Sequence, residues 1–241
     1  MKLYFDIGNT SIKMNYKLGE EEFYISFKTK NDFSPDSLFS FLPEEVKTSK
    51  VESAWISSVV PNQLGTIERM IEKYFGIKPN IIKFPVKTGI NFKATNPKAI
   101  GSDVISLSAF VADKSENGII VNLGTATTIT HIKNKTMLGT IFAPGIAIGA
   151  ESLIKNASKL HEINMNLINK TLGNNTEECL SIGILKGHIH MIRGFIREID
   201  SDADVFISGG NSKLVKDMVA ATYVKEATIE GIKVIEKFNE K

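Results

Sequence analysis

Cysteine is almost absent from this chain. Cys179 is the only one, which excludes an intrachain disulfide, and with four histidines no Cys/His cluster reaches zinc-ligand spacing. His188 and His190 stand two residues apart, on different faces of any helix, and so make a poor metal pair. Excess charge of one sign is also missing: 29 basic residues against 27 acidic ones leave a net charge of +2, with no basic tract to track a nucleic acid. No apolar run is long enough to span a membrane. The chain enters a strand-like segment at once, without the pattern of a signal peptide, so a cytoplasmic protein is expected. What remains is ordinary globular composition, 42% hydrophobic and 23% charged over 241 residues, enough for one or two domains.

The chain is organised around residues 118–130, Gly-Ile-Ile-Val-Asn-Leu-Gly-Thr-Ala-Thr-Thr-Ile-Thr. A β-branched apolar run turns through Gly124 into the hydroxyls of Thr125, Thr127 and Thr128, which reads as a buried strand running into a tight turn. Glycine there lets a backbone approach a ligand closely, and the turn can offer N–H groups and hydroxyls to an anion such as phosphate. An ordinary hairpin would look the same in isolation, but the pattern occurs twice. Asp6-Ile7-Gly8-Asn9-Thr10 aligns without a gap on Asn122-Leu123-Gly124-Thr125-Ala126. An echo follows each copy, Ile56 to Asn62 after the first and Phe206 to Ser212 after the second, both strand endings running into an apparent helix. A repeat of the whole half-chain accounts for this. Two such turns facing each other could hold a polyphosphate from both sides.

Along the chain, strands are expected at 2–7, within 16–27 around a Lys17–Glu20 turn, and at 51–60 and 80–86. Helices are expected near Pro35–Phe41 and from Pro61 to Gly76, then from Asn96-Pro97 with Ile100, Val104, Leu107 and Val111 as its apolar face. Asp103 stands one residue off that face and can project away from the core; a solvated first-turn carboxylate favoured by the helix dipole is the plain alternative. The second half repeats the plan, with strands from 118 through Ile141, a loop at Phe142–Gly145 and a helix over 149–160. Residues 161–175 read as irregular. A long helix follows from Thr176 to Ile199, with Thr176 readable as its N-cap. A strand at 205–208 and helical segments over 214–219 and 226–238 close the chain.

This arrangement resembles the superfamily of actin, the sugar kinases and the heat-shock chaperone ATPases. The resemblance implies an α/β fold of two duplicated ribonuclease-H-like halves, 1–115 and 116–241, with a nucleotide cleft between them. Within that group the sequence looks like a type III pantothenate kinase nearly end to end. The family's Asp-x-Gly-Asn-Thr is matched from Asp6 to Thr10, and its Ser-x-Val-x-Pro by Ser57 to Pro61. Its Asn-Pro-x-x-x-Gly-x-Asp-Arg is matched from Asn96 to Asp103 but ends in Val104. Its Asp-x-Gly-Thr-Ala-Thr-Thr is matched from Gly124 to Thr128 but begins with Asn122. Its Gly-x-Ile-x-Pro-Gly is matched from Gly139 to Gly145 with one extra spacing position, and its Thr-Gly-Gly by Ser208-Gly209-Gly210.

The resemblance implies ATP-dependent phosphorylation of pantothenate, the first step of coenzyme A synthesis, by a homodimer that uses Mg²⁺ and a monovalent cation, K⁺ or NH₄⁺. Asp6 would organise Mg²⁺. Asp6, Ile7, Gly8, Asn9, Thr10, Ser11, Ile12 and Lys13 would bind ATP, with Thr125 from the second motif. Asp103 would be the general base on the primary hydroxyl of pantothenate. Gly101, Ser102, Asp103 and Val104 would contact pantothenate, with Thr176 reaching it from the partner subunit. Val104 replaces an arginine, and Lys93 or Lys98 could compensate. Many members carry an aromatic before the Asn-Pro, where Ala94 stands here, with Phe92 two residues earlier. Asn122 replaces the aspartate that binds the monovalent cation, so weak or absent K⁺ dependence is expected. A non-catalytic or regulatory relative, or a kinase for another small hydroxylated substrate, are the competing readings.

Overall fold

Alternation builds the first sheet. In β1 (Lys2–Ile7), Leu3, Phe5 and Ile7 join one apolar cluster while Tyr4 joins another. The computed structural model describes residues 1–30, 32–92, 96, 99–156 and 169–240. The expectations attached to Lys93, Ala94, Pro97, Lys98 and residues 157–168 lie outside the described residues. β1 pairs antiparallel with β2 (Ser11–Leu18), which turns at Gly19 into β3 (Glu21–Lys28). On its other side β1 pairs parallel with β4 (Ser53–Ser58), and β4 with the short β5 (Asn80–Ile81), in the order β3-β2-β1-β4-β5. Helices α1 (Pro35–Phe41), α2 (Glu44–Thr48) and α3 (Pro61–Phe75) cover the Leu3/Phe5/Ile7 face through Leu38, Val46, Ile67, Met70 and Ile71. Proline at the first turn and a left-handed Gly76 bound α3, as its sequence pattern predicts.

The second sheet follows the same path. β6 (Asn117–Leu123) pairs antiparallel with β7 (Ala126–Lys133), β7 with β8 (Thr136–Pro144), and β6 parallel with β9 (Asp204–Ser208). With β10 (Thr222–Tyr223) the order is β10-β9-β6-β7-β8, which read from β8 is the first sheet again. The α/β class and the duplicated halves are therefore present in the topology. After α6 (Thr176–Ser181), a π-helical turn (Ile182–Lys186) and α7 (Gly187–Ile199) pack with Ile119, Val121 and Leu123 through Leu185, Ile189 and Ile192.

The chain separates into two compact units, one of Met1–Phe92, Asn96–Asp113 and Ala227–Lys241, the other spanning Lys114–Glu226. The last helix, α8 (Ala227–Asn239), thus returns to the first sheet and packs on the Tyr4 face beside α4 (Ser102–Lys114). A Cβ on Gly231 would lie 1.8 Å from Ser106 O, so only glycine permits this approach of α8 to α4. Tyr4 donates its hydroxyl to Glu236 at 2.5 Å and Tyr24 donates to Glu230 at 2.7 Å; burial, reinforced by these carboxylates, pushes both phenols well up.

Several local expectations need correction. β8 runs on through Phe142 to Pro144 instead of ending in a loop, because these residues pair with Ala126–Thr128 of β7. α5 (Ile146–Asn156) therefore starts earlier than position 149. α4 starts at Ser102, and Asn96 belongs to a separate turn closed by Ala99 N–H on Asn96 O at 3.0 Å. β5 is only two residues long. The helical face at Leu214–Val219 is realised as two 3₁₀ turns, Ser212–Leu214 and Lys216–Met218. The crossover from Ser208 to Thr222 is shorter than that from Ser58 to Asn80 and has no room for a counterpart of α3.

Candidate active site

Each sheet ends its central strand in a glycine turn, and the two turns share one construction. In the first, Val59 N–H donates to Ile7 O at 3.1 Å and Gly8 N–H to Ser11 O at 2.9 Å. The Thr29 hydroxyl donates to Gly8 O at 2.7 Å, and its N–H to Thr10 O at 3.0 Å. In the second, Asn211 donates its N–H to Leu123 O at 3.0 Å and its side-chain amide to Gly124 O at 3.4 Å. Gly145 N–H donates to Thr125 O at 3.1 Å and Gly124 N–H to Ala126 O at 3.0 Å. A turn whose carbonyls are engaged by protein donors leaves its outer surface to N–H groups and hydroxyls, the polarity that suits an anion. Asn9, Thr10 and Thr125 are exposed at the tips.

Neither Gly8 nor Gly124 adopts a left-handed backbone, and a Cβ would meet the nearest turn oxygen at 3.3 Å and 3.6 Å respectively. Backbone conformation therefore does not demand glycine at either place. The missing side chain keeps the surface open, which fits the expected close approach of a ligand. Two glycines that the fold does demand lie behind the second turn. A Cβ on Gly145 would fall 2.3 Å from Thr125 O, and Gly209, at φ +98°, would place one 2.6 Å from the Leu123 backbone.

Within the segment Asp6–Lys13, Ile7 and Ile12 are buried and contribute backbone alone, while Ser11 is half-buried where β2 begins. Asp6 and Lys13, both half-buried, are paired across β1 and β2, and Asp6 stands beside Ser57 of β4. Ser57 is where α4 is attached. Ser102 Oγ receives the Ser57 hydroxyl at 3.0 Å and Ser58 N–H at 2.8 Å, and donates to Ser58 O at 2.9 Å. One buried serine thus fixes the start of α4 at the end of the strand beside Asp6, and sets Asp103 in the first turn.

Asp103 is half-buried, with its Oδ1 turned back over Gly101, where a Cβ would lie 2.4 Å away. Burial pushes its carboxyl above the usual carboxylate range, partly offset by the N–H groups of Val104 and of Asp103 itself. A carboxylate of raised proton affinity in a helix's first turn is chemically suited to accept a proton. Of the expected substrate segment, Gly101 and Asp103 are partly exposed, whereas Ser102 and Val104 are buried.

In the second unit, Asn122 is half-buried on β6 between Thr128 of β7 and Ser208 of β9. This row repeats Lys13–Asp6–Ser57 of the first sheet by position. Thr128 Oγ1 is buried with no hydrogen-bond partner among the described residues. Thr127, fully buried, bonds His188 Nε2 at 2.8 Å, and burial holds that imidazole below its ordinary range. His190 is exposed, and no group of three His, Cys, Asp or Glu able to hold a metal occurs among the described residues. The N-cap of α6 is Asn175, whose side chain accepts from Glu178 N–H at 2.9 Å. Thr176 is therefore the first helical residue, with its side chain exposed.

Sequence reasoning did not single out Thr29, Asn211, Asn175 or the His188–Thr127 pair. Asn175 carried a usable signal, an Asn three residues before Glu178 at a helix start. The others bond across the fold and leave no local pattern.

The model of a protein family described as "Type III pantothenate kinase" matches residues 2–198. A type III pantothenate kinase of Mycoplasma mobile is 36% identical over 236 residues, covering 97% of each chain. Among solved structures, a conserved, candidate Baf family transcriptional activator from Campylobacter jejuni has a TM-score of 0.67 at 21% identity, over 98% of both chains. The activator of 2-hydroxyisocaproyl-CoA dehydratase from Clostridium difficile, with bound ADPNP, has a TM-score of 0.57 at 11% identity, over 99% of this chain and 95% of that one. At these identities the two solved structures bear on the fold alone.

Proposed function

The chain belongs to the type III pantothenate kinase family, and from that premise we propose how its own residues carry the reaction. The activity is ATP-dependent phosphorylation of pantothenate to 4′-phosphopantothenate, the first step of coenzyme A biosynthesis. The observation that carries our reading is the pair of matched turns whose glycine and flanking carbonyls are engaged by protein donors, which suits each of them to seat phosphate oxygens. Gly8, Asn9 and Thr10, flanked by Asp6 and Lys13, serve the first turn, and Thr125 serves the second.

Asp103 takes the proton from the primary hydroxyl of pantothenate as that oxygen bonds to the γ-phosphorus and the bond to the ADP oxygen breaks. Gly101 leaves room beside the carboxylate. A divalent ion, when bound, neutralises phosphate charge; the half-buried carboxylate of Asp6 beside the turn is the hard oxygen ligand such an ion prefers. Most of the rate enhancement comes from positioning and from fixed dipoles at the transferring group. For the monovalent cation, Asn122 and the unpartnered Thr128 hydroxyl offer neutral oxygens in adjacent positions, so K⁺ activation is weak.

Homodimer formation is supported by apolar side chains left exposed on β8 and α5: Leu138, Phe142, Ile148 and Leu153. In such a dimer the exposed Thr176 reaches the partner's pantothenate. Among the described residues no helix is long and apolar enough to cross a membrane.

The test is phosphate transfer from ATP to pantothenate and to a panel of other small hydroxylated acids, with the product identified by mass. Turnover with pantothenate above all other acceptors is expected. Val104 stands where an arginine is expected and is buried, so preference for an acceptor lacking a carboxylate would transfer the same machinery to another substrate. No turnover with any acceptor, from folded protein, would leave the regulatory reading.

A further inference from the structure

Thr29 lies just past β3, far in sequence from every residue assigned above, yet it makes two of the contacts that define the first turn. Its hydroxyl donates to Gly8 O at 2.7 Å and its N–H to Thr10 O at 3.0 Å, on either side of the exposed Asn9. We propose that Thr29 is a positioning residue for nucleotide phosphates: it draws both carbonyls away from the outer face of the turn. The inference rests on the phosphate reading of that turn.

The second turn supports it independently. There the side-chain amide of Asn211 engages Gly124 O as the Thr29 hydroxyl engages Gly8 O, while its N–H donates to Leu123 O as Val59 N–H does to Ile7 O. The two residues are not equivalents in the repeat. Thr29 follows the outer strand of a hairpin, whereas Asn211 follows the parallel strand β9. A side-chain donor on the glycine carbonyl is thus present in both turns although it comes from non-equivalent segments, which favours a role in what the turns do. Without the hydroxyl, Gly8 O has lost its donor and can rotate toward the ligand face, where a carbonyl dipole repels phosphate.

The experiment uses the full chain and compares Thr29→Val, which removes the hydroxyl at nearly constant shape, with Thr29→Ser, which keeps it. Three quantities are read: calorimetric affinity for MgADP, KM for each substrate, and melting temperature. T29V should weaken MgADP binding and raise KM for ATP by roughly fivefold to tenfold, the loss of about one hydrogen bond. KM for pantothenate should change less than about twofold, and T29S should stay within about twofold of wild type, the scatter expected of a conserved contact. Unchanged nucleotide affinity in folded T29V would overturn the inference, as would equal damage in T29S. Thr29→Ala serves the same comparison if valine is not accommodated; failure of both to fold would also overturn it, since Thr29 would then hold the fold and not the turn. Wild-type protein that binds no MgADP would instead refute the phosphate reading itself.

Discussion

Asp6 and Asn122 occupy the same place in two copies of one sheet, and what differs around them divides the chemistry. Each stands one residue before the end of the central strand, with a neighbour on the hairpin side and a serine on the parallel side: Lys13 and Ser57 in the first copy, Thr128 and Ser208 in the second. The first row is charged and the second is neutral. The first copy also carries α4, with Asp103 fixed in its first turn by Ser102. Its second-half counterpart by position is α8, which follows β10 but packs on the first sheet. Duplication supplied two turns of one construction. Side-chain divergence then left Asp103 and Asp6, the proposed base and divalent-ion carboxylate, in the first copy and neutral groups in the second.

The sharpest way to break this division is Asp103→Asn. It should lower kcat by at least about a hundredfold, the ordinary worth of a general base, while KM for ATP stays near wild type. Its effect on stability should run the other way. The folded carboxyl titrates above its unfolded value because it is buried, so native protein binds more protons between those two pH values and loses stability as pH rises through that window. At neutral pH the asparagine variant should therefore melt no lower than wild type; a clear drop in melting temperature would contradict the placement of this side chain.

Gly124→Ala comes next. A Cβ there meets only Ala126 O at an ordinary 3.6 Å, so the fold should be retained while KM for ATP rises about tenfold or more, a ligand-approach effect. Gly145→Ala, by contrast, would put a Cβ 2.3 Å from Thr125 O, and should cost stability as well as activity. Equal melting losses in the two variants would erase the distinction between glycines kept for ligand and glycines kept for fold.

Asn122→Asp restores a charge to the second row and makes the two copies alike. Activation by K⁺ over Na⁺ should increase a few-fold, on the order of one charge-assisted contact. Identical cation profiles for wild type and variant would remove Asn122 from the cation site.

The smallest effect concerns His188. Its folded value is depressed by burial, so below its ordinary value near 6.5 the unfolded chain takes up a proton that the native one refuses, and stability falls as pH falls. Urea melts should show a shallower acid-side loss in His188→Gln than in wild type; parallel curves would show that this imidazole is not held neutral.

Much of this was legible from residue order because the repeat writes its signal locally. An apolar strand, Asp or Asn, Gly and small polar residues recur in sequence, and the sheets recur with them. The bounds of α3 were legible for the same reason, since Pro61 and Gly76 act on their own backbone. What sequence could not supply was the backing of each turn. Thr29, Gly145 and Asn211 reach turn carbonyls from distant segments, and nothing in their own neighbourhoods marks them. Nor could periodicity tell that α8 belongs with the first sheet, because its apolar face would suit either one. The missed start of α4 has a specific cause: Asn-Pro is a strong helix-start signal, yet the bonds from Ser102 to the end of β4 determine where the helix begins.

The most direct measurement is backbone hydrogen exchange of the wild-type chain, with and without Mg²⁺ and a non-hydrolysable ATP analogue, followed through residues 8–11 and 123–126. Outward-facing N–H groups that hold phosphate should exchange more slowly in both segments when nucleotide is present, with β3 and α7 unchanged. Nucleotide binding that protects neither turn, or only the first, would contradict the claim that the two copies are matched phosphate seats.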